Sequence, residues 1–159
     1  MDLQLKGKRV LVTGASKGIG RATAEVLAAA GCKVIISSRD AKLLEAAAKE
    51  IESSTGTAVT WTALDLAQRG AAAALAAAAG DLDILINNAG AIPGGDLSGV
   101  DEETWRHAWD LKVFGYINLT RAVYAQMKVR RSGVILNIIG SAGERMNAAY
   151  IAGSTGNAG

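Results

Sequence analysis

The chain has 159 residues, half of them hydrophobic and 20% charged, which suits a single soluble domain able to bury a core. Its net charge of +2 is too small to argue for nucleic acid or a membrane surface, and one cysteine with one histidine argues against a disulfide framework or a transition-metal site. No apolar run reaches spanning length and the start MDLQLKGKR carries no signal-peptide pattern, so a reduced, cytoplasmic setting is expected.

KRVLVTG (8–14) predicts a buried strand ending in a glycine turn. GIGRATAEVLAAA (18–30) predicts a helix stopped by Gly31, and KVIISSR (33–39) a second strand after Cys32, expected to be a buried structural thiol. A helix over 41–53, a strand over 58–66 and an alanine-rich helix over 67–79 follow. LDILINNAG (82–90) predicts a fourth strand ending in a polar turn, and 91–100 a glycine-rich loop with the only proline, Pro93. One long helix is expected from Asp101, its N-cap, to about Arg130, with His107 on its surface. GVILNIIGS (133–141) predicts a fifth strand, in which Asn137 reads as a strand-end hydrogen-bonding residue, and AAYIAGSTGNAG opens another helix. Uniformly apolar strands alternating with helices predict an α/β architecture: a Rossmann-type, doubly wound parallel sheet covered on both faces.

The long helix contains an anomaly. Trp105, Trp109, Lys112, Tyr116, Leu119, Val123 and Met127 follow one another at steps of 4, 3, 4, 3, 4 and 4, which is one helical face. Only Lys112 in that stripe is charged, and an ammonium there is costly unless something pairs with it. Three readings remain open: it serves a buried site, it snorkels out to solvent, or it pairs with an acid such as Asp110. Asn118, off the stripe, is expected to be exposed.

TGASKGIG (13–20) joins the first strand to the first helix. Its glycines permit a tight turn and let backbone approach a pyrophosphate, which then sits on a helix N-terminus. The TGxxxGxG spacing resembles the short-chain dehydrogenase/reductase family. The resemblance continues through Asp65-Leu66 at the end of the third strand, the NNAG of Asn87, Asn88, Ala89 and Gly90, and Tyr150 after the fifth strand, all in family order. It implies a dinucleotide site lined by Gly14, Ser16, Lys17, Gly18, Ile19, Gly20, Arg39, Asp65, Leu66, Asn87, Ala89 and Gly90. The second strand ends in Ser37-Ser38-Arg39, without an acid for the ribose 2′-hydroxyl of NAD; Arg39, with Lys17 nearby, can hold a 2′-phosphate, so NADP(H) is the expected cofactor.

The resemblance implies hydride transfer on an alcohol/carbonyl pair, with Tyr150 as general acid/base and Ser141 orienting the substrate oxygen. Three departures stand out. YIAGS puts Ser154 where the family has the lysine of YxxxK, Lys112 occupies the long-helix asparagine position, and Ser141 precedes Tyr150 by only nine residues. The first two are read together: Lys112 supplies the positive charge that Ser154 cannot, and tunes Tyr150. The alternative is a dinucleotide-binding homologue without catalysis, a sensor or an assembly subunit. The resemblance covers residues 1–159, a single dinucleotide-binding domain, but only the N-terminal part of a family domain, whose usual C-terminal strands and substrate loop would follow; the chain is therefore expected to be a piece of a longer protein. A small-molecule substrate and a homo-oligomer, dimer or tetramer, are expected by resemblance.

Overall fold

The computed structural model describes residues 3–159. Five strands form one parallel sheet: β1 (Arg9–Thr13), β2 (Lys33–Ser38), β3 (Thr60–Ala63), β4 (Ile84–Asn87) and β5 (Val134–Asn137). Their order in space is β3-β2-β1-β4-β5. The helices α1 (Gly18–Ala29), α2 (Ala41–Thr55), α3 (Ala71–Ala79), α4 (Glu102–Trp109), α5 (Gly115–Arg130) and α6 (Ile151–Ala158) supply the crossovers that parallel strands require. The doubly wound α/β architecture expected from the sequence is therefore present.

Alternation within each strand builds two cores. Val10, Val12, Val34 and Ile36 face α1 and α2, where they meet Ala24, Ala28, Leu44, Ala48 and Ile51. Leu11, Ile35 and Leu85 face the other way, toward Leu75 of α3 and Leu119, Val123 and Met127 of α5. Small residues on α1 and α3 bring these helices close to the sheet. Cys32 is buried as expected; its thiol donates to the Leu5 carbonyl at 3.3 Å, and burial first, then Asp83, pushes its pKa up. Among the described residues, no helix is long and apolar enough to cross a membrane.

Several predicted bounds move. The third strand keeps only Thr60–Ala63 of 58–66, and the fifth only Val134–Asn137 of 133–141, because each lies at a sheet edge with a single partner strand. The alanine helix starts at Ala71, after Gly70 takes a left-handed conformation. The most consequential change is in the long helix. Asp101 caps it as expected, accepting from the Thr104 N–H at 2.7 Å, and His107 is exposed. But it is not one helix. A π-helical turn, Asp110–Phe114, separates α4 from α5, and the Gly115 N–H reaches back five residues to the Asp110 carbonyl. Such a turn inserts one residue into the helical count and is frequent at functional sites. Lys112 stands in the middle of it.

Reversal of strand direction of growth between β1 and β4 opens a crevice at the carboxyl ends of those strands, where dinucleotides bind in folds of this kind. The glycine turn after β1 and the Asn87–Gly90 turn after β4 face each other across it.

Candidate active site

The two turns are locked together. Thr13 Oγ1 accepts from the Asn88 and Ala89 N–H groups at 3.0 Å each, and Asn88 Nδ2 donates to the Thr13 and Gly14 carbonyls at 3.0 and 3.2 Å. This contact explains two glycines. A Cβ on Gly14 would lie 2.8 Å from Ala89 Cα, and one on Gly20 would lie 2.5 Å from both Asn88 Nδ2 and the Gly14 carbonyl oxygen. Gly14 and Gly18 also adopt left-handed conformations, with φ of 64° and 59°. Thr13 and Asn88 fasten the crevice, a role that the sequence, which places them only within the glycine-turn and NNAG motifs, did not assign to either. The signal was present: Thr13 is a polar residue closing the apolar run of β1, and Asn88 follows directly on β4.

The mouth of this crevice suits an anion. The N-terminus of α1 has no side-chain cap and no acid in its first turn, so its free N–H groups face outward unopposed. Nothing approaches a Cβ position on Gly18 within 4 Å. Ser16 is half-buried beside it, while Lys17 and Ile19 are exposed. Lys17 and the exposed Arg39 form no ion pair among the described residues. At the end of β2, Ser37 Oγ and Ser38 Oγ are buried without a hydrogen-bond partner among the described residues. Buried hydroxyls of this kind are ordinarily satisfied, so two orphans next to two unpaired cations and an uncapped helix fit a phosphorylated ribose.

Other members of the expected set are placed differently from one another. Asp65 is half-buried and turns one carboxylate oxygen to the Ala67 N–H at 3.0 Å. Leu66 and Ala89 are buried in the α3/α5 core, whereas Gly90 is exposed in the crevice. Asn87 is 1% exposed and commits its amide N–H groups to Thr120 Oγ1 at 3.0 Å and Asn137 Oδ1 at 2.9 Å, bracing β4 against α5 and β5. Asn137 thus has the strand-end role read from the sequence, and Asn118 is exposed as read.

Lys112 turns inward. Its Nζ donates to the Ile138 carbonyl at 2.5 Å and to the Tyr116 hydroxyl at 2.8 Å, and no carboxylate lies within 4.0 Å of it among the described residues. Neither the snorkelling nor the Asp110 reading describes this geometry. Its stem packs on the NNAG glycine: a Cβ on Gly90 would lie 2.6 Å from Lys112 Cδ and 3.4 Å from Nζ. Burial holds the ammonium below the ordinary lysine pKa. Burial likewise pushes the Tyr116 phenol above its usual range, so it stays protonated.

Tyr150 and Ser141 flank α6. Tyr150 immediately precedes the helix, half-buried, and its carbonyl accepts from the Ser154 N–H at 2.8 Å. Its ring lies where a side chain on Gly153 would sit, so a larger residue there would displace the Tyr150 ring. Tyr150 also bridges to Gly95 of the glycine-rich loop, fixing that loop over the site. Ser141 is exposed in a short 3₁₀ turn, which Asn157 of α6 holds by accepting from the Gly140 N–H at 2.8 Å. Among the described residues no hydrogen bond joins Tyr150, Ser141 and Lys112, and the Tyr150 and Ser141 hydroxyls bond no protein group. Ser154 has its own task. Its buried hydroxyl accepts from the Asn147 N–H at 3.0 Å and donates to the Asn147 carbonyl at 3.3 Å, clamping the shortened loop before Tyr150. A lysine could not close that loop in the same way, since it has no acceptor.

The family model for short chain dehydrogenases matches residues 8–159. The chain belongs to that family. It is 37% identical over 146 residues to the uncharacterized oxidoreductase YvrD of Bacillus subtilis (strain 168), covering 90% of this chain and 55% of that protein. It is 38% identical over 137 residues to 2-keto-3-deoxy-L-fuconate dehydrogenase of Xanthomonas campestris pv. campestris, covering 86% and 44%. Among solved structures, L-sorbose reductase of Gluconobacter frateurii, complexed with NADPH and L-sorbose, superposes with a TM-score of 0.89 at 29% identity, over 99% of this chain and 62% of that one. The chain therefore spans about half the length of these curated relatives.

Proposed function

We propose that the chain forms the cofactor-binding part of an oxidoreductase that moves a hydride between NADP(H) and an alcohol/carbonyl pair. The observation carrying this reading is the glycine turn, locked to the Asn87–Gly90 turn at the strand-order switch, with unpaired Arg39, Lys17, Ser37 and Ser38 beside it. Gly14, Ser16, Gly18, Ile19 and Gly20 would receive the pyrophosphate, and Arg39 with Lys17 the 2′-phosphate. Asp65 and Leu66 would lie at the adenine and Asn87, Ala89 and Gly90 beneath the far ribose. When bound, NADP(H) supplies the hydride. NADP-bound relatives of the same fold, such as a 3-oxoacyl (acyl-carrier-protein) reductase of Agrobacterium tumefaciens, support the cofactor assignment.

Tyr150 gives a proton to the carbonyl oxygen, or takes one from the alcohol, and Ser141 holds that oxygen by a hydrogen bond. Lys112 is the positive charge behind them, in place of the lysine that Ser154 displaces. The setting we assign is cytoplasmic, with a homo-oligomer as the working unit.

The test is NADPH oxidation against a panel of ketones and aldehydes. Wild type is expected to turn over at least one class, and Tyr150→Phe to lose about 10²–10⁴-fold in rate with NADPH affinity retained. The second reading, a dinucleotide-binding homologue without catalysis, draws on Ser154 in the lysine position. It would gain if NADPH bound tightly and no carbonyl were reduced.

A further inference from the structure

Lys112 and Tyr116 lie four residues apart on one helical face and touch directly, the Nζ donating to the hydroxyl at 2.8 Å. The family's Tyr-x-x-x-Lys pair is absent after Tyr150, yet a Lys-x-x-x-Tyr pair stands on the neighbouring helix. The Tyr116 hydroxyl in turn donates to the Ile138 carbonyl at 3.1 Å, the same oxygen that Lys112 reaches. Its proton is thereby directed at Ile138, and its lone pair at Lys112.

We propose that Tyr116 is a positioning residue for Lys112: its hydroxyl, with the Ile138 carbonyl, fixes the ammonium at the carboxyl ends of β4 and β5, against Gly90. The inference rests on the site reading above. An ammonium has three N–H groups. Two are taken by Tyr116 and Ile138, which leaves one for a group in the crevice. Without the triangle the stem could relax into the cavity of about 550 Å³ that Lys112 and Tyr116 line, together with Thr120, Asn137 and Asn157. The ring also holds the ammonium, with Nζ 4.5 Å from its centroid, and Phe would keep that contact; the hydroxyl is the part that Phe removes. Among the described residues, the other charged or titratable side chains lining that cavity are Arg121 and Tyr124 of α5; the 87–90 turn and Ile138 bring none.

The experiment is a pH titration of the Lys112 Cε resonance in ¹³C-lysine-labelled protein, assigned by its loss in Lys112→Met. Tyr116→Phe keeps the ring and removes one acceptor from a buried ammonium. We expect Lys112 to bind its proton about tenfold more weakly in Tyr116→Phe, and the pH profile of NADPH oxidation to move with it. The pairing is overturned if the two titration curves superpose. A folded control is built in, since the other lysine resonances should stay in place. The titration needs neither substrate nor cofactor, so a chain that fails to oxidise NADPH would defeat the site reading and leave this measurement standing. A shifted amine with an unmoved rate profile would show instead that Lys112 lies outside the proton path of Tyr150.

Discussion

Lys112→Met is expected to lower the rate of carbonyl reduction by about a hundredfold or more while raising thermal stability. The two effects have one cause. Lys112 is inward, without a carboxylate partner among the described residues, and burial disfavours its charged form. Methionine removes the charge and keeps much of the stem that packs on Gly90. It leaves no polar group stranded, because the Tyr116 hydroxyl still donates to the Ile138 carbonyl. The stability gain should depend on pH in a definite direction. Where the folded-state pKa lies below the unfolded value of 10.5, the unfolded chain binds more protons, so wild-type stability rises with pH across that window. Below the window the penalty is fully present. Melting temperatures of the two proteins should therefore be furthest apart near neutral pH and converge as pH approaches the unfolded value. A variant that is both less active and less stable at neutral pH would mean that Lys112 is a structural residue.

Gly20→Ala is expected to separate the two turns of the crevice. The new Cβ would meet Asn88 Nδ2 and the Gly14 carbonyl at 2.5 Å, and the second of these is backbone, which cannot swing aside. Overpacking of this kind costs about 1–3 kcal/mol, or roughly 2–10 °C in melting temperature for a chain of this size. The larger consequence is functional. Asn88 ties the glycine turn to β4 through Thr13 and Gly14, so displacing it should lower NADPH affinity by at least about tenfold. Gly56→Ala is the control: it lies in open space after α2, so its cost comes from a left-handed φ of 71° and not from a clash. It should cost stability through the backbone alone and leave NADPH affinity unchanged. Calorimetry with NADPH and thermal melts of both variants separate the two effects.

The fold was legible because apolar strands and helical periods report burial directly. Val10–Val12, Val34–Ile36 and Ile84–Ile86 are runs that only a sheet covered on both faces can hide. The glycine turn was legible because its spacing is dictated by close backbone approach. What escaped was whatever depends on a neighbour distant in sequence. The face from Trp105 to Met127 predicts a helix, but nothing in it predicts the π-helical turn at Asp110–Phe114, since the stripe tolerates a one-residue insertion. Ser154 looked like the loss of a function, whereas in the fold its hydroxyl closes the loop at Asn147. The Lys112–Tyr116 contact, by contrast, was within reach: four-residue spacing on one helix places two side chains together. Thr13 and Asn88 are 75 residues apart, and only the parallel pairing of β1 with β4 joins them.

The most direct measurement is a calorimetric titration of the chain with NADPH and with NADH, in wild type and in Arg39→Ala. NADPH should bind at least about tenfold tighter than NADH, with the preference lost in the variant, because the 2′-phosphate that Arg39 would hold is the only difference between the two ligands. Equal affinities in wild type, or no binding of either, would contradict it.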